Sequence, residues 1–162
     1  MAECDELLNY ISKAAKFTIP VYGGYHKWLK KNGKCFTMKK TYKPTARVQE
    51  VLDSFEAEVK GCYGNSMRAA LYDYDKDLQY YEGYYISKEV PIPIEHAWTV
   101  DKKTGKVVDA TVLGPWKEAG TKRGDITYFG TPIPNKYIMT KSMKDECYMP
   151  RIGQYWSEEV RK

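Results

Sequence analysis

The sequence has no long apolar run; its purely hydrophobic stretches are a few residues long, too short for a helix that crosses a bilayer. It also lacks a basic N-terminal region. Glu3, Asp5 and Glu6 stand where a secretory leader carries positive charge, and no small-residue cleavage site follows. From these two absences we expect a cytoplasmic protein with no membrane partner. Repeats, low-complexity tracts and Pro/Gly-rich linkers are missing as well, so the 162 residues read as one domain, 1–162, with its core over about 45–135. Cysteine is sparse. Cys4, Cys35, Cys62 and Cys147 lie far apart, whereas a disulfide scaffold of this size is denser, so reduced thiols are expected.

The charge balance is modest, at +5. Seven lysines between Lys27 and Lys43 crowd the N-terminal third, interleaved with Tyr25, Trp28, Phe36 and Tyr42. Such a mixture can hold a nucleic-acid strand through phosphate contacts and stacking. No recognised nucleic-acid motif accompanies it, so a solvated surface is the preferred reading and nucleic acid a lesser partner.

The pattern then divides the chain into helices followed by strands. Asp5 to Lys16 reads as a short helix with Leu7, Leu8 and Ile11 on one side. Gly23-Gly24 and Asn32-Gly33 read as turns, and Cys35 to Lys40 as a short strand. Val48, Val51, Leu52, Phe55 and Val59 follow helical spacing, so a helix is expected from Thr45 to Gly61. A second helix from Cys62 to about Tyr72 would bury Met67, Ala70 and Leu71 and meet the first at the Gly61 corner. Beyond Asp77 the pattern is β: Leu78 to Ile86, Ile94 to Val100, Lys106 to Leu113 and Tyr128 to Ile133. Lys102 to Gly105 is the hairpin turn, and Gly114 to Asp125, rich in Gly, Lys and Thr, reads as an exposed connection. The expected class is α+β, N-terminal helices packed on an antiparallel sheet.

Three residues can be brought together by this scheme. Cys62 opens a helix, where unpaired backbone N–H groups and the helix dipole favour a thiolate and an oxyanion. A turn centred on Lys103-Thr104 sets Asp101 opposite Lys106 and Trp98 opposite Asp109. His96 and Asp109 then share one face as diagonal neighbours, among Ile94, Trp98, Val100 and Val107. A His–Asp pair in apolar surroundings needs a reason. A Cys–His–Asp triad supplies one: imidazole takes the thiol proton, and the carboxylate fixes the ring. Each residue also has a plain reading, a buried cysteine as a small hydrophobe and Asp109 as a turn residue. His26 is read as an ordinary structural histidine. Zinc is disfavoured, because no second Cys or His sits at short ligand spacing, and no cofactor is expected.

Gly61-Cys62 opening a helix, Glu82-Gly83-Tyr84 on a strand, His96-Ala97-Trp98 on the next and Asp109-Ala110-Thr111 after a hairpin resemble the transglutaminase-like core of the papain-related superfamily. The resemblance covers about residues 60 to 112. It implies that Cys62, His96 and Asp109 are the catalytic triad. Ala110 stands where that family usually has proline. Asn65, three residues after Cys62, also resembles the arylamine N-acetyltransferase branch, and bacterial and phage proteins carry a similar motif series.

The expected function is thiol-dependent acyl transfer or amide or ester hydrolysis: a protease, deamidase, amidase or transglutaminase-type enzyme. Its substrate would be a protein, a peptide or a small amide or ester. Tyr42 and Gln49 are candidate oxyanion donors upstream of the nucleophile. Glu82 is placed near the site or on an exposed strand face, and Trp98 beside His96 as packing. The alternative is a non-catalytic binding protein on the same scaffold, favoured by the 15 tyrosines.

Overall fold

The computed structural model describes residues 2–16, 20–117 and 124–162. Two helices come first, α1 (Ala2–Ala14) and α2 (Pro20–Asn32), followed by strand β1 (Lys34–Met38). Helices α3 (Ala46–Asp53) and α4 (Cys62–Tyr72) precede β2 (Leu78–Ser87), β3 (Ile94–Asp101) and the short β4 (Lys106–Val108). A π-helical turn, Val112–Trp116, leads towards β5 (Ile126–Pro132), and α5 (Asn135–Asp145), α6 (Ile152–Tyr155) and a second π-helical turn, Trp156–Val160, follow. The fold is α+β, as the sequence pattern requires.

All strand pairs are antiparallel, in the order β1-β5-β2-β3-β4. The sheet curls into a half-barrel, so that its edge strands β1 and β4 approach each other. Inside the curl, Met38, Tyr81, Tyr85, Trp98, Val100, Val107 and Tyr128 pack together. The opposite face is covered by helices, which bury Leu7, Ile11, Leu29, Met67 and Ile138 against Tyr80, Tyr84, Ala97 and Phe129. This division follows from the two-residue period of each strand.

Several expectations are corrected. Gly23-Gly24 lies inside α2, because Tyr25 and Leu29 are buried a helical turn apart and hold that segment to the core. The helix expected to reach Gly61 stops at Asp53. Thr45 caps its start, accepting from the Val48 amide at 3.3 Å, but both the amide and the hydroxyl of Ser54 turn back onto the Val51 carbonyl. The Asn65 side chain then captures the Glu58 amide and carbonyl, and Lys60 adopts a φ of 61°. Val59 is consequently exposed, and no helix–helix corner forms at Gly61. Leu71 and Ile94, expected in the core, are also exposed. The segment expected as a strand to Leu113 leaves the sheet after Val108. Of the Gly114 to Asp125 connection, residues 118–123 lie outside the described residues.

The cysteines differ from expectation too. Cys4 on α1 and Cys35 on β1 form a disulfide, while Cys62 and Cys147 are free. The pairing is invisible in spacing, because it joins elements 31 residues apart. No helix among the described residues is long and apolar enough to cross a membrane.

Gly83 decides how closely the three central strands approach. It pairs with Gly130 on β5 and His96 on β3, and a Cβ there would run into the Phe129 carbonyl. Substituting Gly83→Ala is expected to cost about 3 kcal/mol in urea unfolding, through overpacking against backbone that cannot move aside. Gly105, at φ 68° with open space around it, should accept asparagine at roughly a tenth of that cost. Equal losses at the two positions would contradict the packing. Non-reducing peptide mapping should recover Cys4 linked to Cys35, and reduction should lower stability by about 3 to 4 kcal/mol for a loop of this length. Four free thiols in the native protein would remove the staple.

Candidate functional site

β4 pairs with β3 only from Thr99 to Asp101. Beyond that point β3 keeps its partner β2 but has lost β4, so His96 lies on an open stretch of strand edge. The observed pairs Val100↔Val107 and Asp101↔Lys106 are those of the register expected from the turn. Carried one pair past Thr99↔Val108, that register puts the chain at Asp109 beside Trp98, with its side chain on the His96 face.

Asp109 is wholly buried and belongs to no strand. It caps the helical segment that follows. Its carbonyl accepts from Leu113 N at 2.9 Å, and its Oδ1 accepts from the amides of Thr111 and Val112 at 3.1 and 3.2 Å. These are the bonds of an N-cap, which explains why the β-branched run after it turns helical. The other oxygen, Oδ2, accepts from His96 Nε2 at 2.7 Å and from the Tyr128 hydroxyl at 2.9 Å. Tyr85 closes over the imidazole edge-on, with ring centroids 4.7 Å apart.

The Cys62 thiol, 9% exposed at the start of α4, stands close enough to the same imidazole to act on it electrostatically. Since Nε2 faces Asp109, Nδ1 is the nitrogen left for sulfur. Burial works against a charge on His96, yet the Asp109 carboxylate and the Cys62 sulfur outweigh it and hold its pKa up at about 10. At the helix start, Gly61 offers no side-chain cap, so the first amides of α4 keep their donors for another acceptor.

Asn65 faces the interior and joins the two halves of the site. Its Nδ2 donates to Thr111 Oγ1 at 3.0 Å and to the Glu58 carbonyl at 2.8 Å, while its Oδ1 accepts from the Glu58 amide at 2.9 Å. The amide therefore ties the loop before Cys62 to the segment after Asp109. Glu82 is buried, not exposed, and it clasps the C-terminal segment. Its carboxylate accepts from the Arg151 amide at 2.8 Å, the Ile152 amide at 2.9 Å and the Tyr80 hydroxyl at 2.7 Å. Burial pushes the Glu82 carboxyl up to about 7, against the pull of those three donors.

Trp98 is core packing, stacked on Tyr81 and tilted against Tyr128. Tyr42 and Gln49 are not brought to the cysteine. Tyr42 lines a separate cavity with Thr37, Lys106 and Val107, towards the far end of β3. Gln49 donates to Asp53 on its own helix at 2.7 Å. His26 is buried and paired with the Tyr84 hydroxyl at 3.1 Å. Sequence reasoning missed Tyr128, Tyr85 and Thr111, which hold Asp109, His96 and Asn65 in place. The only signal for the two tyrosines is their strand parity, which aligns them as direct neighbours across β2 and β5. Among the described residues, no three His, Cys, Asp or Glu side chains gather as a metal cage. Comparison with protein-family models, curated proteins and solved structures found no match.

Because the pair raises the pKa of His96 above its ordinary 6.5, its contribution to stability is fully present below pH 6.5 and is lost as pH rises through about 10. The stability gap between wild type and Asp109→Asn should therefore narrow across that interval in urea titrations. A gap that stays constant or widens would mean that His96 is not charged by its neighbour.

Proposed function

We propose that the chain is a thiol-dependent enzyme of the transglutaminase-like, papain-related type, performing acyl transfer or hydrolysis on an amide or ester. The observation that carries the reading is one buried imidazole bonded to a buried carboxylate, with the sulfur of a cysteine at a helix start acting on the same ring. Buried charge of this kind is costly and has no evident structural purpose on the sulfur side.

The chemistry follows from these positions. His96 removes the Cys62 proton, and the sulfur attacks the substrate carbonyl carbon. The carbonyl π pair moves onto oxygen, where the free amides at the start of α4 stabilise the negative charge. The intermediate collapses as His96 returns the proton to the departing nitrogen or oxygen, and the C–N or C–O bond breaks to leave a thioester on Cys62. Water or an amine then attacks the thioester with His96 as base, and the thiol leaves protonated. Asp109 holds the ring by Nε2 and steadies its positive charge throughout; the Tyr128 hydroxyl fixes the carboxylate in turn. The Cys4–Cys35 bond favours an oxidising compartment over the expected cytoplasmic site of action, since such bonds persist there.

Iodoacetamide alkylation tests the assignment. Cys62, although buried, is expected to react at least tenfold faster than exposed Cys147 in the folded protein, because a basic imidazole beside the sulfur outweighs poor access. His96→Ala should abolish that advantage while leaving Cys147 unchanged. A Cys62 that reacts no faster than Cys147, or that ignores His96, returns the chain to the alternative of a binding protein.

A further inference from the structure

A cavity of about 480 Å³ opens where the helix-covered face of the sheet meets the β3 edge. Its walls include His96 and Tyr63, the residue next to the nucleophile, together with Tyr25, His26, Glu82 and Glu95. The C-terminal segment from Met149 to Trp156 closes the outer side, held there by the Glu82 clasp. The volume is that of a ligand site, not of a packing defect.

The one cation that lines the cavity among the described residues, the His96 imidazole, is already held by Asp109. The chain carries 26 Lys and Arg against 21 Asp and Glu, yet two glutamates and no lysine or arginine line this cavity among the described residues. Glu82 is committed to backbone amides, whereas Glu95 is exposed and oriented by the Tyr84 hydroxyl at 3.3 Å. Tyr84 is in turn paired with His26 at 3.1 Å, so the carboxylate is held by a relay that reaches back to α2. Tyr25 and Tyr63 supply aromatic walls, and Trp156, which already carries the Arg161 guanidinium 5.6 Å from its ring centroid, forms the apolar end. Aromatic rings beside an oriented carboxylate attract an ammonium group.

The geometry points to a specificity pocket for a primary ammonium group, a lysine-like side chain of the substrate, with Glu95 as its counter-charge and Tyr25 and Tyr63 as its walls. The inference rests on the enzyme reading above, because the pocket selects what is presented to Cys62. The ammonium can arrive on the acyl portion or on the attacking amine, and the recognition chemistry is the same for both.

Binding and reactivity separate the two readings. Nα-acetyl-lysine amide and its uncharged isostere, the amide of Nα-acetyl-2-aminoheptanoic acid, are titrated by calorimetry into full-length Cys62→Ser protein, which cannot turn over. The lysine compound should bind at least tenfold tighter, and Glu95→Gln should remove most of that preference. Glu95 is exposed, so the variant keeps its fold, which its unchanged melting temperature would verify. Equal binding of the two amides, no binding of the lysine compound at millimolar concentration, or a preference indifferent to Glu95→Gln would each overturn the pocket. Failure here leaves His96-dependent alkylation of Cys62 untouched, so it is distinguishable from failure of the enzyme reading. If the pocket holds, peptide esters carrying lysine on the acyl side and free lysine amide as acceptor, compared in unsubstituted protein, assign the ammonium to one side of the scissile bond.

Discussion

The Asp109 carboxylate is the point on which the site and the fold both depend. It is fully buried, which is a heavy cost for a charge, and four donors offset it: His96 Nε2, the Tyr128 hydroxyl and the amides of Thr111 and Val112. Those donors come from β3, β5 and the helical segment after β4, so one side chain pins three parts of the half-barrel together. Its two oxygens divide the work. Oδ1 is spent on the cap, which fixes the plane of the carboxylate, and Oδ2 is thereby aimed at the imidazole.

Glu82 plays the corresponding part on the opposite face. Tyr80, Arg151 and Ile152 bring donors to it from β2 and from the C-terminal segment. One buried acid therefore positions His96, and the other positions the wall of the cavity beside it. Asn65 connects the segment after the first of these to the loop before Cys62 without any charge, through bonds to Glu58 and Thr111. The polar groups of the interior thus form anchored stations between elements that apolar packing alone would leave free to slide.

What could be read in the sequence was local. The bounds of α4 follow from Gly61 and the helical spacing. The β3–β4 register follows from a four-residue turn and the two-residue period and brings His96 and Asp109 to one face, whereas Cys62 joins them only through the packing of α4 against β3. What escaped was decided by a single long-range partner. Val107, Val108, Thr111 and Val112 have strand propensity, yet the Asp109 cap turns the chain. Val59 fits a helical stripe, but Asn65 takes the Glu58 backbone away from the helix. Cys35 meets Cys4 only because α1 packs beside β5, the neighbour of β1. The oxyanion candidates Tyr42 and Gln49 rested only on lying upstream of Cys62, and their observed neighbours are elsewhere, Thr37 and Val107 for the first and Asp53 for the second.

The shortness of β4 joins these strands of reasoning. A strand continued to Leu113 would have paired with β3 past His96, and the edge that Cys62 now approaches would have been filled by backbone. Strand propensity favours that outcome and would bury more β-branched surface in the sheet. The cap prevents it, because Oδ1 of Asp109 gives the amides of Thr111 and Val112 a partner outside the ladder. The residue that steadies the imidazole is therefore also the one that ends the strand and clears the space in which the thiol can reach it. Folding and the proposed chemistry make the same demand of one carboxylate, and it is met as soon as the chain turns at Asp109.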